Sequence, residues 1–173
     1  MITKKVVLVG DFSTGKTSLI RRYVENEFSD EYLTTIGVKI SKKMVSMHEA
    51  EVNLEIQLMI WDIEGNTSAK PTNPAYIMGA HGLVVVADAT RKESIENICI
   101  HIEECRKVVK ETPIFLALNK SDLIEDTEKF ETLLKELKLR YEQIESVYAT
   151  SAKDGKNVEN IFLNLSKLMI TKR

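Results

Sequence analysis

The sequence predicts an α/β fold with a mostly parallel six-stranded sheet, one antiparallel edge strand and helices on both faces. Short apolar runs alternate along the chain with amphipathic helical patterns, as in parallel strands joined by helical crossovers. One pair of runs is separated by only a few residues, which is the spacing of an antiparallel hairpin. We expect a single domain over residues 1–173, because that length suffices for one full core.

Six segments carry a strand pattern. The clearest alternates strictly between apolar and polar residues over 52–60, which is typical of a half-buried strand. The preceding segment, Val38–Met47, carries several lysines, as edge strands do, and His48–Glu51 is predicted as the turn between the two. The other four are short buried runs: Val6–Val9, Leu83–Ala87, Ile114–Leu118 and Val147–Ala149.

Four amphipathic helices are predicted between or after these strands, because apolar residues recur at steps of three and four. They lie in Lys16–Glu25, Ile95–Val109, Phe130–Tyr141 and Val158–Met169. Asn26–Ile36 has no period and is predicted as a loop. Gly65–Pro74 is polar, and its two prolines argue against a long regular helix.

The composition is that of an ordinary globular protein, with 43% hydrophobic and 29% charged residues. A net charge of −2 does not indicate nucleic acid as a partner. Cys99 and Cys105 fall on different faces of one predicted helix, so we expect free thiols and a reducing, cytoplasmic setting. Neither a secretory signal nor a lipidation pattern is present, so we expect no lipid anchor in this chain and membrane recruitment only through partners.

A phosphate-binding loop is predicted directly after the first strand. Residues 10–17 match the pattern G-x-x-x-x-G-K-[ST], with a strand before it and a helix after it, as the motif requires. Its backbone N–H groups and the helix N-terminus are suited to phosphate oxygens, with Lys16 neutralising charge and Thr17 ligating Mg²⁺. The predicted phosphate-binding residues are Gly10, Asp11, Phe12, Ser13, Thr14, Gly15, Lys16, Thr17 and Ser18. This motif alone does not separate ATP from GTP.

Two further loops, each following a strand, are candidates for reading the base. A carboxylate such as Asp122 can accept hydrogen bonds from the two adjacent donors of guanine, a pair that adenine lacks. Taken alone, 119–122 is also compatible with a helix N-cap at Ser121 or Asp122, and 150–155 with a simple turn, but three such loops in order at the ends of successive strands make coincidence improbable. The predicted base-reading residues are Asn119, Lys120, Asp122, Ser151, Ala152 and Lys153.

In the order and spacing of these motifs, the sequence resembles the Ras superfamily of small GTPases over essentially its whole length, with Rab-like features around Trp61. The resemblance implies a P-loop NTPase G domain that binds GTP and GDP with Mg²⁺ and acts as a molecular switch. It also implies effector, exchange-factor and activating proteins as partners.

The resemblance extends to two segments that look like the switches of this family. Residues 26–37, with Tyr32 among them, match the first switch; there Phe28 would stack beside the guanine and Thr35 would ligate Mg²⁺ and touch the γ-phosphate. Residues 61–65 match the start of the second switch. By the same resemblance, Asp62 would hold Mg²⁺ and the Gly65 N–H would sense the γ-phosphate.

The sequence departs from the family pattern near the γ-phosphate in three ways: at Asn66, at Glu64, and at Phe12 and Ser13, which occupy loop positions often filled by small residues. Asn66 stands where most members have the glutamine that orients the attacking water, and it is one methylene shorter. Glu64 replaces a small residue, and its carboxylate would repel the phosphate unless it points to solvent. Phe12 is bulky enough to block an arginine finger from an activating protein.

We therefore expect slow hydrolysis in which Lys16, Thr35, Gly65 and Asn66 are the candidate catalytic residues, and Thr17, Thr35 and Asp62 the candidate metal ligands. One alternative is a GTP-binding interaction module with little or no hydrolysis. Another is a P-loop ATPase or nucleotide kinase, against which the pattern Asn119-Lys120-x-Asp122 argues.

Overall fold

A computed structural model describes residues 2–31, 34–49, 52–67 and 70–171. Within these ranges it contains one six-stranded sheet of order β2-β3-β1-β4-β5-β6. The strands are β1 (Ile2–Val9), β2 (Val38–Glu49), β3 (Val52–Ile63), β4 (Gly82–Asp88), β5 (Ile114–Asn119) and β6 (Ile144–Ala149). Only the β2–β3 pair is antiparallel within the described part of the sheet, which confirms the predicted edge strand.

Helices connect the parallel strands and cover the sheet. They are α1 (Lys16–Glu25), α2 (Pro74–Ile77), α3 (Lys92–Glu96), α4 (Ile98–Val108), α5 (Thr127–Arg140) and α6 (Val158–Thr171), with a 3-10 turn at Ser121–Leu123. The bounds of α1 are those predicted from its sequence. The proline-containing segment ends at the start of the four-residue α2, which begins at Pro74, and no long helix occupies the described residues of that segment, as the two prolines indicated.

The hydrophobic core forms two layers because successive residues of a strand point to opposite faces of the sheet. Val6 and Leu8 of β1 pack with α1 and α6 on one face, whereas Val7 and Val9 pack with α2, α4 and α5 on the other. β4 and β5 are buried along their whole lengths, as expected for central strands of a parallel sheet. Helices thus lie on both faces, as predicted.

Several predicted boundaries differ from those of the structure. β1 begins at Ile2, four residues before the predicted start at Val6. His48 and Glu49 belong to β2 rather than to a turn, since the ladder continues to the pair Glu49–Val52, while Ala50 and Glu51 lie outside the described residues. The single helix predicted over 95–109 is interrupted at Asn97, where α3 ends and α4 begins. β6 starts at Ile144, three residues earlier than its apolar run indicated.

Candidate functional site

A cleft of about 320 Å³ opens at the carboxyl ends of the parallel strands. Three predicted loops and the segment before β2 meet there. The first loop and α1 supply six of the residues that line the cleft: Phe12, Ser13, Gly15, Lys16, Thr17 and Ser18. From elsewhere it is lined by the predicted residues Phe28, Thr35, Gly65, Asn119, Lys120, Asp122, Ala152 and Lys153.

Six predicted residues lie beside the cleft without lining it: Gly10, Asp11, Thr14, Asp62, Asn66 and Ser151. Most of them hydrogen-bond to residues that do line it. Thr14 is fully buried, and its carbonyl accepts a hydrogen bond from Asn119 at 3.0 Å. Ser151 donates to Asp122 at 2.8 Å.

The loop between β1 and α1 has the curled backbone that a phosphate loop needs. Ser13 and Gly15 both have positive φ, of 64° and 92°. A Cβ at Gly15 would lie 2.3 Å from Nδ2 of Asn119, so only glycine fits where this loop meets the loop after β5. α1 follows immediately, so its N-terminal N–H groups face the same cleft.

Lys16 lies at the base of this loop, where it is 5% exposed. Its ammonium donates to the carbonyls of Gly10 at 3.1 Å and Asp11 at 2.8 Å. Burial lowers the pKa of Lys16 to about 8, and the nearby carboxylates of Asp62 and Asp11 act in the opposite sense. A buried cation at this position is suited to an anionic ligand, which would restore the stabilisation that burial removes.

Two hydroxyls and one carboxylate converge beside Lys16. The Thr17 hydroxyl donates to Oδ2 of Asp62 at 2.6 Å and lies 2.8 Å from the Thr35 hydroxyl, which also contacts Oδ2 at 3.3 Å. Burial raises the pKa of Asp62, while the Thr17 bond and Lys16 oppose that shift. Oδ1 of Asp62 is buried and has no hydrogen-bond partner within the described residues.

This donor set fits a magnesium ion. Mg²⁺ prefers oxygen ligands and is commonly held by one or two protein groups together with water and substrate phosphates. The unpartnered Oδ1 of Asp62 is the kind of buried atom that a cation or its bound water satisfies. No cluster of three or more His, Cys, Asp or Glu side chains suited to a metal exists in the described part of the chain.

The two base-reading loops are bonded to each other and to the phosphate loop. Lys120, at φ 63°, donates to the carbonyl of Ser13 at 2.9 Å and to Oδ2 of Asp88 at 2.6 Å. The N–H of Ser121 donates to the carbonyl of Thr150 at 3.0 Å. The alternative of an N-cap at Ser121 or Asp122 is wrong, because α5 is capped by Asp126, whose side chain accepts from Lys129.

The segment after β3 lies directly on the phosphate loop. The N–H of Asn66 donates to the carbonyl of Gly10, and its carbonyl accepts from the N–H of Phe12, both at 3.0 Å. A Cβ at Gly65 would lie 2.5 Å from Cα of Phe12. Glycine is therefore required at position 65 for this close approach of two backbones.

The side chain of Asn66 does not point into the cleft. Its Nδ2 donates to Glu104 at 2.9 Å and lies 3.4 Å from Nδ1 of His101, and its Oδ1 accepts from Thr72 at 2.5 Å. The amide thus faces α4.

The other two departures from the family pattern also have defined places. The Glu64 carboxylate accepts from Lys70 at 2.7 Å and from the N–H of Gly37 at 3.1 Å; these bonds hold the pKa of Glu64 below its usual range. The negative charge of Glu64 is therefore paired with Lys70 outside the cleft, and the carboxylate does not point into the cleft. Phe12 lines the cleft and is 41% exposed, and its carbonyl accepts from Arg91 at 2.8 Å.

Sequence reasoning missed several polar residues that hold these loops, four of which contact residues far away in the chain. Arg22 donates to the carbonyls of Ala152 and Lys153. Asn97 and His101 both contact the side chain of Asp11, at 2.9 and 2.7 Å. Glu104 holds Asn66. In the sequence these residues lie within helical patterns, and nothing in their spacing identifies partners that are 35 to 131 positions away.

The comparisons with known proteins agree with this geometry. The Ras family model matches residues 5–171. The chain is 32% identical over 173 residues to the GTP-binding protein ypt4 of Schizosaccharomyces pombe, covering 97% of this chain and 72% of ypt4. It is 33% identical over 168 residues to the Ras-related protein Rab-21 of Homo sapiens, covering 96% of this chain and 72% of that protein. It is also 33% identical over 169 residues to the Ras-related protein SEC4 of Saccharomyces cerevisiae, covering 95% of this chain and 74% of SEC4.

Proposed function

Because the chain belongs to the Ras family of small GTPases, whose members act as GTP-binding switches, we propose that its cleft binds GTP and GDP with Mg²⁺ and that it hydrolyses GTP slowly. The observation that carries the proposal is the convergence of three groups around one cleft. They are a curled loop with a buried lysine, a cluster of two threonines and an aspartate, and two interlocked loops that present Asp122. We further propose that residues 1–173 form one G domain.

The phosphates would lie along the loop at residues 10–17, with Lys16 and the loop N–H groups as donors. Lys16 would exchange its bonds to the Gly10 and Asp11 carbonyls for bonds to phosphate oxygens. Thr17, Thr35 and Asp62 would hold the magnesium ion, which when bound would neutralise charge on the phosphate oxygens. Thr17 and Thr35 are already within hydrogen-bond distance of Asp62.

The base would lie between Phe28 and the loops after β5 and β6. Asp122 is placed by Ser151, and Asn119 fixes the loop after β5 against Thr14. A carboxylate here would pair with the two adjacent donors of guanine. An adenine would leave that carboxylate unpaired, which is a strong basis for discrimination.

Switching would depend on the segments that contain Thr35 and Gly65. Gly37 and Glu64 join the two segments, through one bond from the Glu64 N–H to the Gly37 carbonyl at 2.9 Å and one from the Gly37 N–H to the Glu64 carboxylate. A γ-phosphate that contacts either segment would therefore stabilise the bound conformation of both. Loss of that contact on hydrolysis would release them together.

In hydrolysis, the oxygen of a water molecule attacks the γ-phosphorus, the bond to the bridging oxygen breaks, and GDP and inorganic phosphate leave. Lys16 and the loop N–H groups, with Gly65, would stabilise the developing negative charge. Asn66 would have to orient the water, yet its amide is bonded to α4. This occupied amide supports slow turnover, and it is also the observation that favours the second candidate, a GTP-binding module with little hydrolysis.

Exchange, activating and effector proteins would complete a switch of this family, and we propose a cytoplasmic location with recruitment to membranes through such partners. As a separate observation, none of the helices among the described residues has the length and hydropathy of a membrane span.

The test is single-turnover hydrolysis of GTP by the purified, GTP-loaded chain. Slow, Mg²⁺-dependent release of phosphate supports the switch, and no release over days supports the binding module. Failure to bind GTP at all would refute both.

A further inference from the structure

The amide of Asn66 is held in a polar pocket formed by Thr72, His101 and Glu104, here called the amide pocket. Its two N–H groups face Glu104 and His101, and its carbonyl accepts from Thr72. An asparagine amide has two donor hydrogens and one acceptor oxygen, so each of its groups has a partner. The bond to Glu104 is charge-assisted and is therefore among the stronger kinds of hydrogen bond.

The amide pocket is attached to the phosphate loop as well as to α4. Nε2 of His101 contacts Asp11 at 2.7 Å, and this imidazole is 3% exposed. Asp11 also accepts from Asn97 at 2.9 Å, which fixes the start of α4 against the same loop. The pocket and the cleft are thus parts of one bonded unit, and Asn66 lies between them.

The backbone of Asn66 already lies beside the phosphate loop. Its side chain, however, points away from the cleft and into the amide pocket. The backbone N–H and carbonyl of Asn66 pair with Gly10 and Phe12, whose own backbones form the loop. Turning the amide toward a water at the γ-phosphate would break its bonds to Thr72 and Glu104. Such a turn would leave Glu104 and Thr72, which is 8% exposed, without this partner.

We propose that the amide pocket is a brake on GTP hydrolysis, an inference that rests on the proposed function. Glu104, Thr72 and His101 are positioning residues that hold the Asn66 amide away from the attacking water. Asn66 can orient that water only after its amide leaves the pocket. The slow turnover then arises from the pocket as well as from the short side chain at position 66.

The proposal predicts that weakening the pocket speeds hydrolysis. Removing a charge-assisted hydrogen bond shifts an equilibrium by about tenfold or more. We therefore expect Glu104→Leu to raise the single-turnover rate about tenfold, with the affinity for GTP unchanged. Glu104→Gln keeps an oxygen that can accept from Nδ2, so its rate should stay within about threefold of the parent.

The experiment measures both GTP affinity and single-turnover hydrolysis for a matched set of variants. Glu103→Leu is the control, because Glu103 is exposed and lies next to Glu104 on the same helix. Thr72→Val is the second pocket variant; it keeps the shape of the side chain but removes the donor to Oδ1, and it should also speed hydrolysis. Adding Asn66→Ala to Glu104→Leu should abolish the gain, since the gain acts through Asn66.

Faster hydrolysis in both pocket variants, lost with Asn66→Ala and absent in Glu103→Leu, supports the brake. Parental rates in Glu104→Leu and Thr72→Val at parental GTP affinity would overturn it while leaving the proposed function standing. A gain that survives Asn66→Ala would also overturn it. Absence of GTP binding by the parent chain would instead refute the proposed function and the brake with it.

Discussion

Replacing Arg22 with methionine should accelerate release of GDP without touching any group that faces the phosphates. The guanidinium of Arg22 donates from Nε to the carbonyl of Ala152 at 2.8 Å and from Nη2 to that of Lys153 at 2.7 Å. These two bonds tie the loop after β6 to α1. Methionine keeps the length and apolar character of the stem but loses both of these donors, and with them the Nη1 group that donates to the carbonyl and Oδ1 of Asn26 at 3.2 and 3.3 Å.

The magnitude follows from the number and kind of these bonds. A hydrogen bond from a charged donor contributes about 1.5–3 kcal/mol, and the half-buried Arg22 belongs at the low end, so the two bonds together hold the loop by about 3 kcal/mol. The loop has other anchors, including the bond from the Ser151 N–H to the carbonyl of Lys156 at 3.1 Å. If about half of this lost free energy also weakens binding of the guanine base, GDP dissociation should be about tenfold faster.

The assay is release of fluorescent GDP chased by excess unlabelled GDP, with and without a chelator of Mg²⁺. The ratio of variant to parent should be similar in both conditions, because Arg22 acts on the base side of the cleft. Arg22→Lys, which keeps the charge but not the planar fork, should be intermediate. Arg140→Met, on an exposed residue at the end of α5, is the control. A folded Arg22→Met variant that releases GDP within twofold of the parent would refute this reasoning.

Three further predictions test the metal cluster, the core and the thiols. Thr17→Ala should remove most of the effect of Mg²⁺ on GDP release, which a chelator titration measures; an undiminished effect would contradict the proposed ligand role. Phe162→Ala should lower the free energy of unfolding by about 3–5 kcal/mol at fixed GDP concentration, because Phe162 is 1% exposed and stacks on Tyr23 at 4.1 Å between ring centroids. Urea unfolding measures it, and a loss below about 1 kcal/mol would contradict the packing. Near pH 8, a thiol reagent should label Cys99 but not Cys105 in the native chain, since burial raises the pKa of Cys105 to about 12; equal labelling rates would contradict this.

The fold was predictable because each central strand is a compact apolar run and each long helix has one apolar face. Two of these runs, Leu83–Ala87 and Ile114–Leu118, lie within fully buried strands. Because both faces of such a strand are buried, its residues are apolar without interruption, and this run can be recognised in the sequence. The hairpin end was not predictable in this way. β2 continues through His48 and Glu49 by pairing with Asn53 and Val52 of β3, and His48 and Glu49 lack the apolar alternation that marks a strand in the sequence.

The break in the predicted helix at Asn97 has a similar origin. The apolar stripe of Ile98, Ile102 and Cys105 continues the spacing from Ile95, so periodicity alone predicts one helix. The Asn97 side chain bonds instead to Asp11, in a loop 86 positions earlier in the chain. A contact between residues so far apart in the chain cannot be predicted from the local spacing of apolar residues.

For the site, motif spacing predicted which residues would meet but not which way every side chain would point. The loops at 10–17, 119–122 and 150–153 meet because the carboxyl ends of parallel strands share one edge of the sheet. The orientation of Asn66 is different, since it is decided by Thr72, His101 and Glu104. These residues come from two separate segments, and only the folded structure brings them together.

The most direct test of the central claim, a guanine-nucleotide site, is a competition titration of the purified, nucleotide-stripped chain. Fluorescent GDP is displaced with GDP, GTP, ADP and ATP in the presence of Mg²⁺. We predict displacement by GDP and GTP at concentrations at least about a hundredfold below those needed for ADP and ATP, because the adenine ring lacks the donor pair for Asp122. Equal displacement by the adenine nucleotides would contradict the account.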